Sequence, residues 1–188
     1  MTRRASMRRV TVACLAALPV FALAAVAQES PYVTVEGRPI KALSAEAVDG
    51  YLEGRGMGFA LAAELNGYPG PRHVLELADS LGLDAPRRDS VRAVFDRMHA
   101  EAVRLGTGIV AAEAALDSAF AQRRIAALDL SDQLTRIASP RGELRYVHLV
   151  AHLEVTALLS DHERYEYQRL RGYTGNHRME HGAHQQHR

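Results

Sequence analysis

The sequence predicts an all-α fold, a long curved helical hairpin with short flanking helices, and three observations carry that prediction. An apolar seam runs through Val91, Phe95, Met98, Ala102, Leu105, Ile109, Ala112, Leu116 and Ala119, with steps alternating four and three. A second stripe follows at helical spacing: Leu134, Ile137, Leu144, Val147, Ala151, Val155 and Leu158. No run alternates apolar and polar residues as a strand would, apart from residues 32–35, which are too short to build a sheet on.

The elements follow in order. Residues 28–43 read as a loosely ordered leader containing Pro31, Gly37 and Pro39. Ser44 is placed to cap a short helix over residues 45–53. Gly54, Gly56 and Gly58 break it, and residues 59–65 form a second short apolar helix. Residues 66–71, with two prolines and two glycines, make a firm turn. A third short helix over residues 72–81 ends at Gly82. The dominant helix covers residues 85–123, a length of about 58 Å at 1.5 Å per residue. Gly106 and Gly108 interrupt its middle at about 1 kcal/mol each in helix propensity, which predicts bending there. A second long helix spans residues 131–159, with a kink or short break at Ser139 and Pro140. A last helix starts at Ser160 and stops near Gly172, and the polar residues 174–188 read as a disordered, His-rich tail. Two long helices cannot bury both stripes in one thin hairpin. The short helices, a second copy of the chain or a partner has to cover the rest.

The ends and the charge place the chain. Its 188 residues suit one modest domain after processing. Residues 1–9 carry Arg3, Arg4, Arg8 and Arg9 and no acid, residues 10–27 are almost wholly apolar, and Ala25-Val26-Ala27 is a small-residue exit. Together these read as a Sec-type signal peptide over residues 1–27. An uncleaved anchor is the competing assignment, since about 18 apolar residues just span a bilayer. The exit site favours cleavage, which leaves no stable membrane anchor. Cys14, the single cysteine, lies inside the apolar run. A chain cleaved after Ala27 therefore has no thiol for a disulfide, a thiolate metal site or a cysteine nucleophile. Cleavage removes four of the 23 Lys and Arg and none of the 22 Asp and Glu, leaving 19 against 22 and a net charge of −3. Acids and arginines alternate along the helices, so no nucleic-acid surface is expected.

Two helix starts resemble each other. Leu83-Asp84-Ala85-Pro86-Arg87 precedes the longest helix, and Leu159-Ser160-Asp161-His162-Glu163 precedes the last. Ser160 and Glu163 have the spacing of a capping box, with Leu159 as a hydrophobic staple. Asp84 is a capping residue, but Arg87 cannot complete a box. These pentads, in an exported all-helical chain, resemble the repeated Leu-Thr-x-x-Gln of the Spy/CpxP family of periplasmic helical proteins. Ser160 and Asp84 stand for the threonine, and Glu163 and Arg87 for the glutamine. The likeness extends over residues 67–173, so residues 1–27, 28–66, 67–173 and 174–188 become signal, N-terminal arm with short helices, Spy/CpxP-like domain and tail. The resemblance implies a periplasmic, cradle-like homodimer. Members act as ATP-independent chaperones for unfolded envelope proteins, restrain an envelope-stress sensor kinase, or bind zinc or copper. A chaperone of this kind requires no cofactor. Its client face is expected at Phe95, Met98 and Leu105, where these are not wholly buried, with Arg92, Arg97 and Arg145 as adaptable charges.

Histidines form the second constellation. His177, His181, His184 and His187 fall within the last twelve residues. Imidazole suits zinc and copper, and Met179 adds a soft donor; the competing reading is a polar solubilising tail. His148 and His152 are spaced i, i+4 and share a helix face. They suit one metal if another element adds a third ligand, or a hydrogen-bonded pair within the bundle. His73, His99 and His162 have no partner at useful spacing. Nothing suggests an enzyme, because H-E-x-x-H, a phosphate-cradling glycine loop and a nucleophile elbow are all missing.

Overall fold

The structure, a computed structural model, describes residues 30–173. The chain divides into units of residues 1–34 and 35–188; the first is described only from Ser30, and a 3-10 turn spans Val33–Val35. The rest is helical: α1 (Ala45–Leu52), α2 (Leu61–Glu64), α3 (Pro71–Glu76), α4 (Ala85–Ala121), α5 (Ala127–Leu158) and α6 (Asp161–Leu170). No strand forms among the described residues. The expected signal peptide and the tail carrying His177, His181, His184 and His187 lie outside them.

Helices α4 and α5 pack antiparallel through residues 122–126 and form the frame. Asp84 caps α4 by accepting from the Arg87 amide at 3.0 Å, with Pro86 in the first turn where no donor is needed. The frame buries its stripe in two clusters. In one, Val91 and Val94 of α4 meet Ala151 and Val155 of α5 together with Val74, Ala78, Leu81, Leu83, Leu159 and Tyr167. In the other, Ala102, Leu105 and Ile109 meet Leu144 and, from α1, Tyr51.

Several expectations are corrected. α2 and α3 are shorter than the apolar pattern suggests. Gly58, at φ +79°, turns the chain just before α2, and after Glu76 the backbone winds on in turns until Gly82, at φ +66°. Helix α5 begins four residues earlier than expected and runs unbroken through Pro140. Arg136, Ala138, Ser139 and Arg141 are exposed there, so water reaches the carbonyl that the proline leaves without a donor. Helix α4 runs through Gly106 and Gly108 as one element, as its seam predicts. The stripe is buried unevenly: Leu134 is exposed, and Ala112, Leu116 and Ala119 are half-buried. The segment 35–66, with its short helices α1 and α2, contacts the frame. Tyr51 enters the core, and Lys41 pairs with Asp117 on α4 at 3.2 Å.

Candidate functional site

The two leucine-led segments converge. Leu83 and Leu159 lie in the same core cluster. Ser160 and Glu163 form the full capping box: the Glu163 amide donates to Ser160 Oγ, and the Ser160 amide donates to Glu163 Oε2 at 2.8 Å. Arg87, which has no box of its own, reaches 76 residues along the chain and donates to Glu163 Oε1. Burial pushes the Glu163 carboxyl up, but hydrogen bonds from the Ser160 backbone and hydroxyl and from Arg87 outweigh it and hold the group below its ordinary range. The motif positions therefore tie the start of α4 to the start of α6. That is a structural role.

A cavity of about 580 Å³ opens between the segment 53–60, the start of α3, and helices α4 and α5. Four histidines line it: His73, His99, His148 and His152. Three are anchored through one ring nitrogen. His152 Nδ1 donates to the Tyr68 carbonyl at 2.7 Å, His99 Nε2 to the Glu53 carbonyl at 3.0 Å, and His73 Nδ1 pairs with Glu76 at 2.8 Å. His148 is different. It is 4 % exposed, its ring stacks on Phe59 with centroids 5.9 Å apart, and its Nε2 is buried without a partner. Among the described residues, no three His, Cys, Asp or Glu side chains stand in reach of one metal ion. His148 and His152 share a face as their spacing requires, but His152 is turned to Tyr68 and His148 is stacked on Phe59.

Burial first, then the neighbouring His152 and His99, lower the His148 pKa from 6.5 to about 4. A depressed histidine makes the unfolded chain bind its proton first as pH falls. The associated stability is present above about pH 6.5 and is lost on acidification toward pH 4. At 1.36 kcal/mol per pH unit, lowering the pH from 7 to 5 should cost about 2 kcal/mol through this residue. Urea unfolding at both pH values checks this: His148→Phe should lose much less stability than the wild type over that interval. Equal losses would assign the acid sensitivity elsewhere.

Behind His152 lies a buried polar cluster that sequence reasoning missed. Glu64, 7 % exposed, accepts from Tyr167 Oη at 2.6 Å and from the Gly70 amide at 3.2 Å. Arg171 Nε lies 3.5 Å from Glu64 Oε1, and His152 Nδ1 lies 3.8 Å from Oε2. Burial, then the bond to Glu64, pushes the Tyr167 phenol above its ordinary value, so it remains a donor. Glu64 thus joins α2, the start of α3, α5 and α6. The one local signal was an acid inside the apolar run Leu61-Ala62-Ala63-Glu64-Leu65.

The expected client residues separate. Leu105 is 3 % exposed and belongs to the α1–α4–α5 core, so it cannot serve as a surface contact. Phe95 and Met98 are half-buried at the cavity, where Phe95 stacks on His99 with centroids 5.6 Å apart. Arg97 pairs with Glu154 across the helices, and Arg92 and Arg145 are exposed. Away from the cavity, α4 and α5 leave a groove where Val94, Arg97 and Glu101 face Val147, Val150 and Glu154. Further along, Ala111, Ala112 and Ala115 face Gln133, Arg136 and Pro140 around a space of about 550 Å³. Comparison with protein-family models, curated proteins and solved structures finds no match for this chain.

Proposed function

We propose that this protein is an exported, ATP-independent binding protein of the Spy/CpxP type that holds unfolded envelope proteins along the uncovered side of α4 and α5. The observation that carries the reading is the apolar surface near their connecting loop. Phe120 is 53 % exposed and Leu128 91 %, with Leu134 also exposed. Exposed apolar side chains of this size offer contact area to an unfolded client. Two recesses lie along both helices, one edged by Arg97, Glu101 and Glu154 and one by Arg136. Apolar contact is non-directional and tolerates many client sequences, while the charges adapt to local composition. Residues 1–27 supply the export signal in this reading, and the motif pairing of Arg87 with Glu163 stiffens the far end of the frame.

The test is light scattering from a chemically unfolded client diluted into the protein. Suppressed aggregation at stoichiometric ratios is expected, with at least half of it lost in Phe120→Ser/Leu128→Ser. Both sites are exposed, so folding should be retained, and circular dichroism checks that. No suppression, or suppression indifferent to the double change, would overturn the reading. A parallel series with zinc separates it from the alternative, a zinc- or copper-responsive protein acting on a sensor kinase: suppression that appears only with zinc would favour the histidines.

A further inference from the structure

Helix α5 carries a second seam on the face turned away from α4. Leu149 and Leu153 stand two residues to either side of Ala151, which is buried against the frame. At about 100° per residue, that offset places both leucines on the opposite face. The positions there run Ser139, Gly142, Tyr146, Leu149, Leu153 and Thr156, with steps of three and four alternating, the heptad spacing of a helix-to-helix contact. No charged side chain falls on this line. Tyr146 is 67 % exposed and Leu153 54 %, and a methyl group at Gly142 would meet nothing within 4 Å, so the face is open among the described residues. We propose that this face of α5 docks an amphipathic helix of a partner protein whose apolar seam is edged by acidic residues.

Periodicity selects a helix as the occupant, and charge selects its edges. A helix apolar on two faces is characteristic of one packed between two layers, and here the α4 side is packed while this side is open. From Ser139 to Thr156 the stripe is about 26 Å long, the length of a partner helix of about 18 residues. Ser139 and Gly142 allow close approach at one end. Tyr146 and the two leucines supply apolar contact at the other, with the tyrosine as the large anchor. Along one edge stand Arg141 and Arg145, one helical turn apart and both exposed. The nearby carboxylates are engaged elsewhere: Glu143, on the far edge, accepts from the Ser139 hydroxyl at 3.0 Å, and Glu154 and Glu101 pair with Arg97 and Arg104. Two free guanidiniums beside an apolar seam suit carboxylates on the facing helix. A second copy of α5 fits less well. An antiparallel pair would set one arginine edge against the other. In a parallel pair Arg145 would meet Val150, five residues on and uncharged. The face is also separate from the recesses assigned to clients, which lie between α4 and α5.

Two synthetic helices test the assignment, each with a leucine seam, one with glutamate and one with lysine at both edges. Each is labelled and titrated with the protein, and binding is read by fluorescence anisotropy at a peptide concentration too low for self-pairing. The glutamate-edged helix should bind at least fivefold more tightly than the lysine-edged one. Tyr146→Glu/Leu153→Glu should weaken that binding at least tenfold, with circular dichroism checking that the fold is kept. Arg141→Gln/Arg145→Gln changes only exposed edge positions and should reduce the preference to less than twofold; it is the deciding variant if the stripe change unfolds the chain. No binding, equal binding of both helices, or a preference that survives the arginine change would overturn the proposal. So would a wild-type dimer in sedimentation that dissociates on Tyr146→Glu/Leu153→Glu, because a second copy would then occupy the face. Phe120→Ser/Leu128→Ser should leave peptide binding within about twofold, so failure here and failure of client holding are told apart. Peptide binding lost in that variant instead would place the helix on the client surface and also overturn the proposal.

Discussion

Replacing Glu64 with alanine is expected to lower the free energy of unfolding by about 3–5 kcal/mol, the usual cost of breaking a buried charged pair by removing one partner. The carboxylate receives the Tyr167 hydroxyl and the Gly70 amide, with Arg171 beside it. Its loss strands a phenol 0 % exposed and a buried backbone donor in the apolar cluster of Val74, Leu83, Val155 and Leu159. Neither group can exchange its lost partner for water without opening the junction. Tyr167→Phe removes one donor and leaves the other contacts of Glu64 in place, so about 1–3 kcal/mol is expected. Glu64→Gln keeps an acceptor for the tyrosine and should fall between the two. Urea unfolding followed by far-ultraviolet circular dichroism gives all three values. An alanine variant within about 1 kcal/mol of the wild type, a loss typical of an ordinary neutral hydrogen bond, would mean that the junction does not depend on this carboxylate.

How far the sequence reveals this molecule depends on the range of the interaction concerned. Ser160, Glu163 and Asp84 act within one helical turn, so their caps are legible from spacing and present in the structure. The all-α class follows from 3.6-residue periodicity for the same reason. Leu105 and Leu134 occupy equivalent places in their stripes, yet one is core and the other exposed. Periodicity identifies a face, and burial is decided by what covers it. Here α1 covers the middle of the frame and leaves its loop end open. The cavity was less legible still. His73 and His99 have no neighbours at helical spacing and come together with His148 and His152 only after α3 folds against α4. Glu64 meets Tyr167 across 103 residues, and no local pattern encodes such a pair. Pro140 misleads in the opposite direction, because a local rule was offset by water at an exposed helix face.

Gly106 gives the sharpest division between local propensity and packing. On propensity alone, Gly106→Ala should stabilise an interior helical position by about 1 kcal/mol. Packing reverses the sign. A methyl group at Gly106 would sit 2.1 Å from the Tyr51 carbonyl oxygen and 2.7 Å from its carbon. Both obstacles are backbone, so no rotamer relieves them, and α1 would have to withdraw from α4. Withdrawal exposes Tyr51, 4 % exposed in the native packing, and loosens its contact with Phe59. Overpacking typically costs about 1–3 kcal/mol, and with Tyr51 partly exposed the loss for Gly106→Ala should reach about 3 kcal/mol, with Gly106→Val larger. Gly108 is the internal control. It lies two residues along the same helix, and a methyl group there meets nothing within 4 Å. Gly108→Ala should therefore gain about 0.5–1 kcal/mol. Opposite signs in thermal unfolding of the two variants would establish that α1 is seated on Gly106, and two gains would place α1 off the frame. The same seating closes one wall of the cavity. Gly54, at φ +61°, presses close to Val103 and the His99 carbonyl at the end of α1. Gly106→Ala is thus expected to open this cavity wall as well, whereas Gly108→Ala should leave it closed.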